Sequence, residues 1–332
     1  MTDELKSQFK KINEAIGKSK KVLITSHENP DPDAVGSMLA LSLILNKLGI
    51  KPLLYLSDPC PDSLSFLPDS FNIKDNIPKN ATFDILFALD YGDFKRLNLP
   101  SYILKKTDLF DKIITIDHHQ GKQEGKIKIV EPEISSTSEI IYQWIRKMPP
   151  TDDFEIDKDT ATCLLTGIVA DTGGFSHVST SFKTMEASSE LLSKGGNLSK
   201  IINQILFSKS VCSPESLKPF AKVLSRIKFI PENKVVYSWL SFEDLKGKSS
   251  ENFELDGICS IIGKEEKCGF ALFLLEYEKG KVRGSLRSEP FKGMKVDTIA
   301  ERLGGGGHPY AAGFKQEGSI NEVLKKVLDL IK

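Results

Sequence analysis

The residues best suited to chemistry stand in short, widely separated groups. The first is His27-Glu28-Asn29-Pro30-Asp31-Pro32-Asp33, a histidine and two aspartates within one loop. Two carboxylates this close repel each other unless cations share them. Pro30 and Pro32 stiffen the loop, and Ala34 and Gly36 allow close approach where the next helix begins. Asp90 forms the second group, Asp117-His118-His119 the third, and Asp171 in Ala170-Asp171-Thr172-Gly173-Gly174 the fourth. Imidazole and carboxylate together suit a divalent ion. Each group has a plainer alternative: the first could be a solvated turn capping a helix, the others surface turns. Their joint occurrence outweighs these alternatives. The chain has five histidines, and four of them lie in these groups or in a glycine-rich motif near the C-terminus. His177 is the exception and reads as a surface residue or a support for a ligand.

The elements between these groups explain how they could meet. Leu5, Phe9, Ile12 and Ile16 have helical spacing. Residues 21–25 read as a buried strand and residues 26–33 as a polar loop. A helix then runs over 34–48, stopped by Gly49, and a second strand over 52–56. Further strands are expected over 83–89, ending at Asp90, and over 112–116, ending at Asp117. Helices are expected from Ser136 to Arg146, over 159–170, and twice within 183–207. Such alternation implies an α/β fold, a parallel sheet with flanking helices. Ligands bind beyond the carboxyl ends of strands in sheets of this kind. The groups after Thr25, at Asp90 and at Asp117 would therefore lie side by side.

Beyond residue 207 the character changes. Residues 208–228 read as a polar linker containing a short connecting helix, and 229–332 as a smaller α+β domain. Its strands are expected over 235–240, 269–276 and 281–287, and its helices over 257–262 and 296–303. The run Gly304-Gly305-Gly306-Gly307-His308-Pro309-Tyr310-Ala311-Ala312-Gly313 could cradle an anion on its backbone, with His308 donating to a phosphate. It lacks the Lys-Ser/Thr pair of a P-loop. Arg283 and Arg287 alternate on one strand and point to one face, with Ser288 next. That arrangement is a phosphate clamp or, equally on pattern alone, a solvated strand face.

The bulk properties narrow the partners. A chain of 332 residues with 40% hydrophobic residues supports two packed domains. Forty-five basic residues balance forty-five acidic ones, which favours a short substrate over long duplex nucleic acid. No apolar run approaches the ~18 residues that cross a bilayer, so no membrane partner is expected. The N-terminus lacks the basic-then-apolar layout of a signal peptide, so a cytoplasmic location is expected. Five scattered cysteines with no C-x-x-C pair argue against a disulfide framework or a thiolate zinc site.

Taken together, His27-x-x-Pro30-Asp31-x-Asp33-Ala34-x-Gly36-Ser37, Asp90, Asp117-His118-His119 and Asp171-Thr172-Gly173 resemble the four ordered motifs of the DHH phosphoesterases. The Gly304–Gly313 stretch resembles the signature of the DHH-associated C-terminal domain, so the resemblance spans nearly the whole chain. It implies that His27, Asp31 and Asp90 hold one metal. Asp33, Asp90, His118 and Asp171 would hold a second, with Asp90 bridging. Asp117 would orient the site, and His119 would contact the scissile phosphate. Arg287, Ser288, Gly306, Gly307 and His308 would grip the rest of the substrate, with Arg283 a weaker candidate. The implied activity is two-metal hydrolysis of short oligoribonucleotides and 3'-phosphoadenosine 5'-phosphate (pAp), or of cyclic di-AMP and its linear product pApA. Manganese suits mixed histidine and carboxylate ligands better than magnesium does, with magnesium and cobalt as alternatives. The second domain would measure substrate length. A homodimer is left open. One departure stands out: many relatives carry arginine directly after the phenylalanine of the fourth motif, and here Ser176 follows Phe175. A manganese pyrophosphatase is the rival enzyme, disfavoured by the glycine-rich histidine motif, which pyrophosphate does not require. A silent nucleotide-binding module is the rival from another class, and its mark would be lost metal ligands.

Overall fold

A computed structural model describes residues 3–105, 108–148, 155–205, 214–245, 259, 261–263 and 267–331. The chain divides into two compact units, Met1–Ser208 and Lys209–Lys332. No helix among the described residues is long and apolar enough to cross a membrane.

The first unit is built on β1 (Val22–Thr25), β2 (Leu53–Tyr55), β3 (Ile85–Leu89), β4 (Ile113–Asp117) and β5 (Ile127–Val130). The strand order is β2-β1-β3-β4-β5 and every pairing is parallel. β1, β3 and β4 are buried along their whole length, as befits strands covered on both faces. β5 alternates, with Ile127 and Ile129 inward and Lys128 exposed. This edge strand lies outside the apolar runs that mark the others.

Helices cover one face of the sheet: α1 (Asp3–Ile16), α2 (Pro32–Lys47), α5 (Thr137–Ile145), α6 (Lys158–Asp171), α7 (Phe182–Ser193) and α8 (Leu198–Ile205). Their apolar side chains join Val22, Ile24, Phe87, Leu89, Ile114 and Ile116 in the main core. The opposite face is closed by α3 (Ser101–Leu104), α4 (Leu109–Lys112) and connecting segments, around Leu23, Leu86, Ala88 and Tyr91. α2 starts earlier than its apolar pattern indicates. Asp31 caps it, its Oδ1 accepting from the N–H groups of Asp33 and Ala34, so Asp33 belongs to the first helical turn rather than to the loop. α2 and α6 cross closely at Gly36, where a Cβ would lie 2.6 Å from the Cys163 carbonyl oxygen.

The second unit begins with α9 (Pro214–Ser225), within the stretch expected to be a linker. It continues with β6 (Lys228–Ile230), β7 (Val235–Leu240), β8 (Phe270–Glu278), β9 (Lys281–Arg287), α10 (Asp297–Arg302), β10 (Gly306–His308), β11 (Ala311–Glu317) and α11 (Ile320–Leu330). The sheet order is β10-β11-β9-β8-β7-β6, antiparallel except for the β7–β8 pair. Phe270, Leu272, Leu274, Val282 and Leu286 pack against Ile299 and Ala300 of α10 and Val323 and Val327 of α11. Gly306-Gly307-His308, within the run expected to cradle an anion on its backbone, is an edge strand. Of the helix expected over 257–262, residues 257, 258 and 260 lie outside the described residues. Cys60, Cys163 and Cys268 are free thiols.

The Gly36 crossing leaves no room for a side chain. Gly36→Ala should force α2 and α6 apart and destabilise the first unit by about 1–3 kcal/mol. Urea unfolding followed by circular dichroism measures this, and an unchanged midpoint would contradict the close packing.

Candidate metal centre

Each group of candidate ligands sits where an element ends. Asp90 directly follows β3, and its backbone turns left-handed, with φ at 52°. Aspartate tolerates this conformation better than most residues, yet the strain is real and redirects the side chain. Asp117 ends β4, with His118 and His119 next, and Asp171 ends α6.

These ends converge. His27 Nε2 lies 3.5 Å from Asp31 Oδ2 and 3.9 Å from Asp90 Oδ2. His118 Nε2 lies 3.5 Å from Asp90 Oδ1 and 3.0 Å from Asp171 Oδ2. Three sets could each hold a cation, with ligand atoms mutually within 4.8 Å: His27, Asp31 and Asp90; Asp33, His118 and Asp171; and Asp90, His118 and His119. Asp90 thus turns one oxygen toward His27 and the other toward His118. All six residues that the sequence nominates as ligands gather here, together with His119.

A divalent cation fits this donor set on a specific observation. Asp90 Oδ2 is buried and accepts no hydrogen bond among the described residues, and His118 Nε2, also buried, has only the Asp171 carboxylate at 3.0 Å and Asp90 Oδ1 at 3.5 Å near it. Buried polar atoms are rarely left so. Here Asp90 Oδ2 faces His27 beside Asp31, and His118 Nε2 lies among Asp90, Asp33 and Asp171, two surroundings rich in carboxylate that a cation satisfies. The charge state agrees. Burial pushes Asp33 well above the usual carboxylate range, and the Asp90 and Asp171 charges push it further. Burial also lifts Asp171 to about 6 against the pull of His118. Burial would lower the His118 imidazole, but Asp171, Asp90 and Asp33 hold it up at about 9.

The surrounding residues fix the ligands. His27 Nδ1 lies 2.7 Å from the Glu28 carbonyl, which keeps Nε2 turned toward Asp31 and Asp90. Arg96 Nη2 is 3.2 Å from the same Nδ1. Asp117 points away from the centre. Its Oδ2 accepts from the N–H groups of Tyr91 and Gly92, and its Oδ1 accepts from the His119 N–H. Burial would raise Asp117, but hydrogen bonds from the His119 side chain and from the His119 and Gly92 N–H groups hold it below its ordinary value, and the backbone bonds tie the turn after β3 to the turn after β4. His119 Nδ1 lies 3.1 Å from Asp117 Oδ1 and 3.3 Å from Asp90 Oδ1. Burial opposes its charge, but those two carboxylates raise it to about 11.

Two supports are not signalled by the motifs. The N–H groups of Thr137 and Ser138, at the start of α5, donate to the Asp33 carboxylate at 2.7 and 3.0 Å. The Thr137 hydroxyl donates to Asp90 Oδ1 at 3.1 Å. The Ser136-Thr137-Ser138 run reads in the sequence only as a helix cap, which it also is. Gly167 is the other. A Cβ there would fall 2.1 Å from both Asp33 Oδ1 and Ser138 Oγ, so only glycine lets α6 pass over the ligand. His177, exposed, lies with Nδ1 2.9 Å from the Asp171 carbonyl and covers Gly173. Ser176, where an arginine is frequent, donates its hydroxyl to the Gly173 carbonyl.

The remaining candidates lie in the second unit. Strand register sets His308, Ala311 and Arg287 in one row across β10, β11 and β9, and Arg283 shares the face of Arg287. Gly307 has φ at 147°, and a Cβ there would meet the Ala311 carbonyl at 2.5 Å. The Ser288 hydroxyl donates to the Gly269 carbonyl at 2.6 Å, so it secures the start of β8.

Residues 21–168 match the DHH family, N-terminal domain, and residues 232–332 match the DHHA1 domain. The chain carries a DHH-family N-terminal domain followed by a DHHA1 domain. It is 29% identical to the bifunctional oligoribonuclease and PAP phosphatase NrnA of Thermus thermophilus, over 94% of this chain and 89% of that protein. It is 25% identical to the cyclic-di-AMP phosphodiesterase PdeA of Listeria monocytogenes, over 96% of this chain but 48% of that protein. An exopolyphosphatase-related protein from Bacteroides fragilis superposes with a TM-score of 0.83 at 26% identity, over 98% of this chain and 96% of that one.

Cation binding must displace the His118 proton and share Asp171, whose values stand near 9 and 6. Manganese affinity should therefore rise with pH between about 6 and 9, with proton release. Calorimetry in buffers of different ionisation enthalpy reads both, and a flat profile would contradict the arrangement. Thr137→Val removes the hydroxyl that orients Asp90 and should weaken manganese binding roughly 10- to 100-fold with the fold retained.

Proposed function

We propose that the protein is a metal-dependent hydrolase of short oligoribonucleotides and pAp, releasing mononucleotides. The observation that carries this is the buried Asp90 carboxylate, one oxygen facing His27 and the other His118, between two sets of candidate ligands. The similarity to the oligoribonuclease NrnA, which runs along nearly the full length of both chains, supports the substrate class. The site is expected to take two divalent ions, with manganese the first candidate. Bound there, they would lower the pKa of water and neutralise charge on the phosphoryl oxygens.

The chain's own residues do the rest. His27, Asp31 and Asp90 form one set of ligands; Asp33, Asp90, His118 and Asp171 form the other. Asp90 belongs to both and keeps them in register. The N–H groups of α5 hold Asp33 with a fixed direction, so its geometry does not relax when substrate arrives. His119 sits beside Asp90 and Asp117 and carries its proton at neutral pH. It would donate to an anionic oxygen of the scissile phosphate. Asp117 orients His119 and the turn after β3. In the second unit, Arg287 and His308 offer a cationic and a donor group on one row of the sheet, suited to a phosphate or nucleoside. Gly306 and Gly307 expose the backbone beside them, Arg283 adds charge on the same face, and Ser288 would act through the strand it secures.

The second substrate class, cyclic di-AMP and pApA, is favoured by the likeness to PdeA. One panel separates the two. Purified protein with manganese is offered pAp, pApA, a short RNA, cyclic di-AMP and pyrophosphate, with and without chelator. AMP should appear from pAp and mononucleotides from short RNA, disappear with chelator and return with excess manganese. Activity indifferent to chelation would overturn the metal mechanism, and phosphate released from pyrophosphate alone would overturn the nucleotide assignment. Asp33→Asn should abolish turnover while the circular dichroism spectrum is kept. Wild-type rates in that variant would show that the cage lies elsewhere.

A further inference from the structure

None of the residues assigned above lies on the outer edge of the second unit's sheet, at β6 and β7. There β6 runs antiparallel to β7 with Lys228 opposite Tyr237. Directly opposed residues project from the same face, and Trp239, two residues along β7, shares it. The Tyr237 and Trp239 rings are stacked, centroids 5.8 Å apart and planes 23° from parallel. Lys228 Nζ lies 5.3 Å from the centre of the Trp239 ring and the Arg226 guanidinium 5.6 Å. Arg226 is fixed in place by both oxygens of Asp244, a carboxylate that Lys222 also shares. Lys228 has no carboxylate within ion-pair reach among the described residues.

Both rings are half-buried: they lean on the core of the unit and stay partly open to water. A lysine alone suffices to protect an edge strand from pairing. Shielding does not require two large stacked rings beside it. Stacked aromatic rings beside a lysine with no carboxylate partner, and beside an arginine whose carboxylate is shared with a second cation, are in chemistry a surface that holds unpaired bases and the phosphates between them. We infer that this edge is an auxiliary site for a single-stranded oligonucleotide. Tyr237 and Trp239 supply the stacking surface, and Lys228 and Arg226 meet the phosphates. The inference does not depend on the assignment of the metal centre.

The test uses the full chain in chelator, so that no turnover occurs, and a short fluorescein-labelled single-stranded RNA followed by anisotropy. Trp239→Ala should weaken binding roughly 5- to 100-fold. Lys228→Glu should weaken it and flatten its dependence on salt. Trp239→Phe keeps a stacking ring and should retain most of the affinity, which separates lost stacking from lost folding. The chain has two tryptophans, and Trp144 is fully buried. RNA should therefore quench the intrinsic fluorescence of the wild type and leave that of Trp239→Phe unchanged. Unaltered affinity in both Trp239→Ala and Lys228→Glu, or quenching that survives in Trp239→Phe, would overturn the proposal.

Discussion

Asp90 brings its carboxylate, 1% exposed, into a space already crowded by Asp33 and Asp171. Taking an ionised carboxylate out of water costs several kcal/mol unless something compensates it. The Thr137 hydroxyl and the His119 imidazole compensate Oδ1, while Oδ2 accepts no hydrogen bond among the described residues. The fold can hold this arrangement only because the scaffold beneath it is rigid. β1, β3 and β4 are fully buried, and their ends cannot drift apart to relieve the repulsion. The elevated values of Asp33 and Asp171 express the same tension in another form.

That rigidity is extended by groups that never point into the centre. Asp117 spends its oxygens on the backbone of Tyr91, Gly92 and His119, locking two strand ends together. The start of α5 does the same for Asp33, with two N–H groups at a helix terminus where they have no partner within the helix. Gly36 and Gly167 let α2 and α6 close over the site. Truncating any of these would misplace a ligand without removing one.

The sequence made the parallel sheet legible because its central strands are continuous apolar runs and its chemical groups stand at their ends. β5 escaped because an edge strand that buries one face looks like an alternating loop. In the second unit, β10 and β11 escaped because glycine-rich strands carry little side-chain pattern. All six nominated ligands lie in one cluster. Thr137, Ser138 and Gly167 were not nominated as its supports. Their contribution is a backbone N–H or the absence of a Cβ, and residue type alone does not distinguish these from an ordinary cap or an ordinary helical glycine.

A structural and a chemical role for the same side chain are not alternatives in this fold. Asp31 caps α2 with Oδ1 and faces His27 with Oδ2. The cap fixes the direction of the second oxygen, so the structural role is what makes the chemical one possible. Asp117 repeats the pattern between backbone and His119. Gly307 shows the converse, since the Ala311 carbonyl already excludes a side chain there before any ligand is considered. A glycine motif therefore identifies a close approach, and whether a phosphate or only a neighbouring strand makes that approach depends on the side chains beside it. Arg287 and His308, set in one row with Ala311 across β9, β11 and β10, are the side chains that would give this motif a chemical meaning.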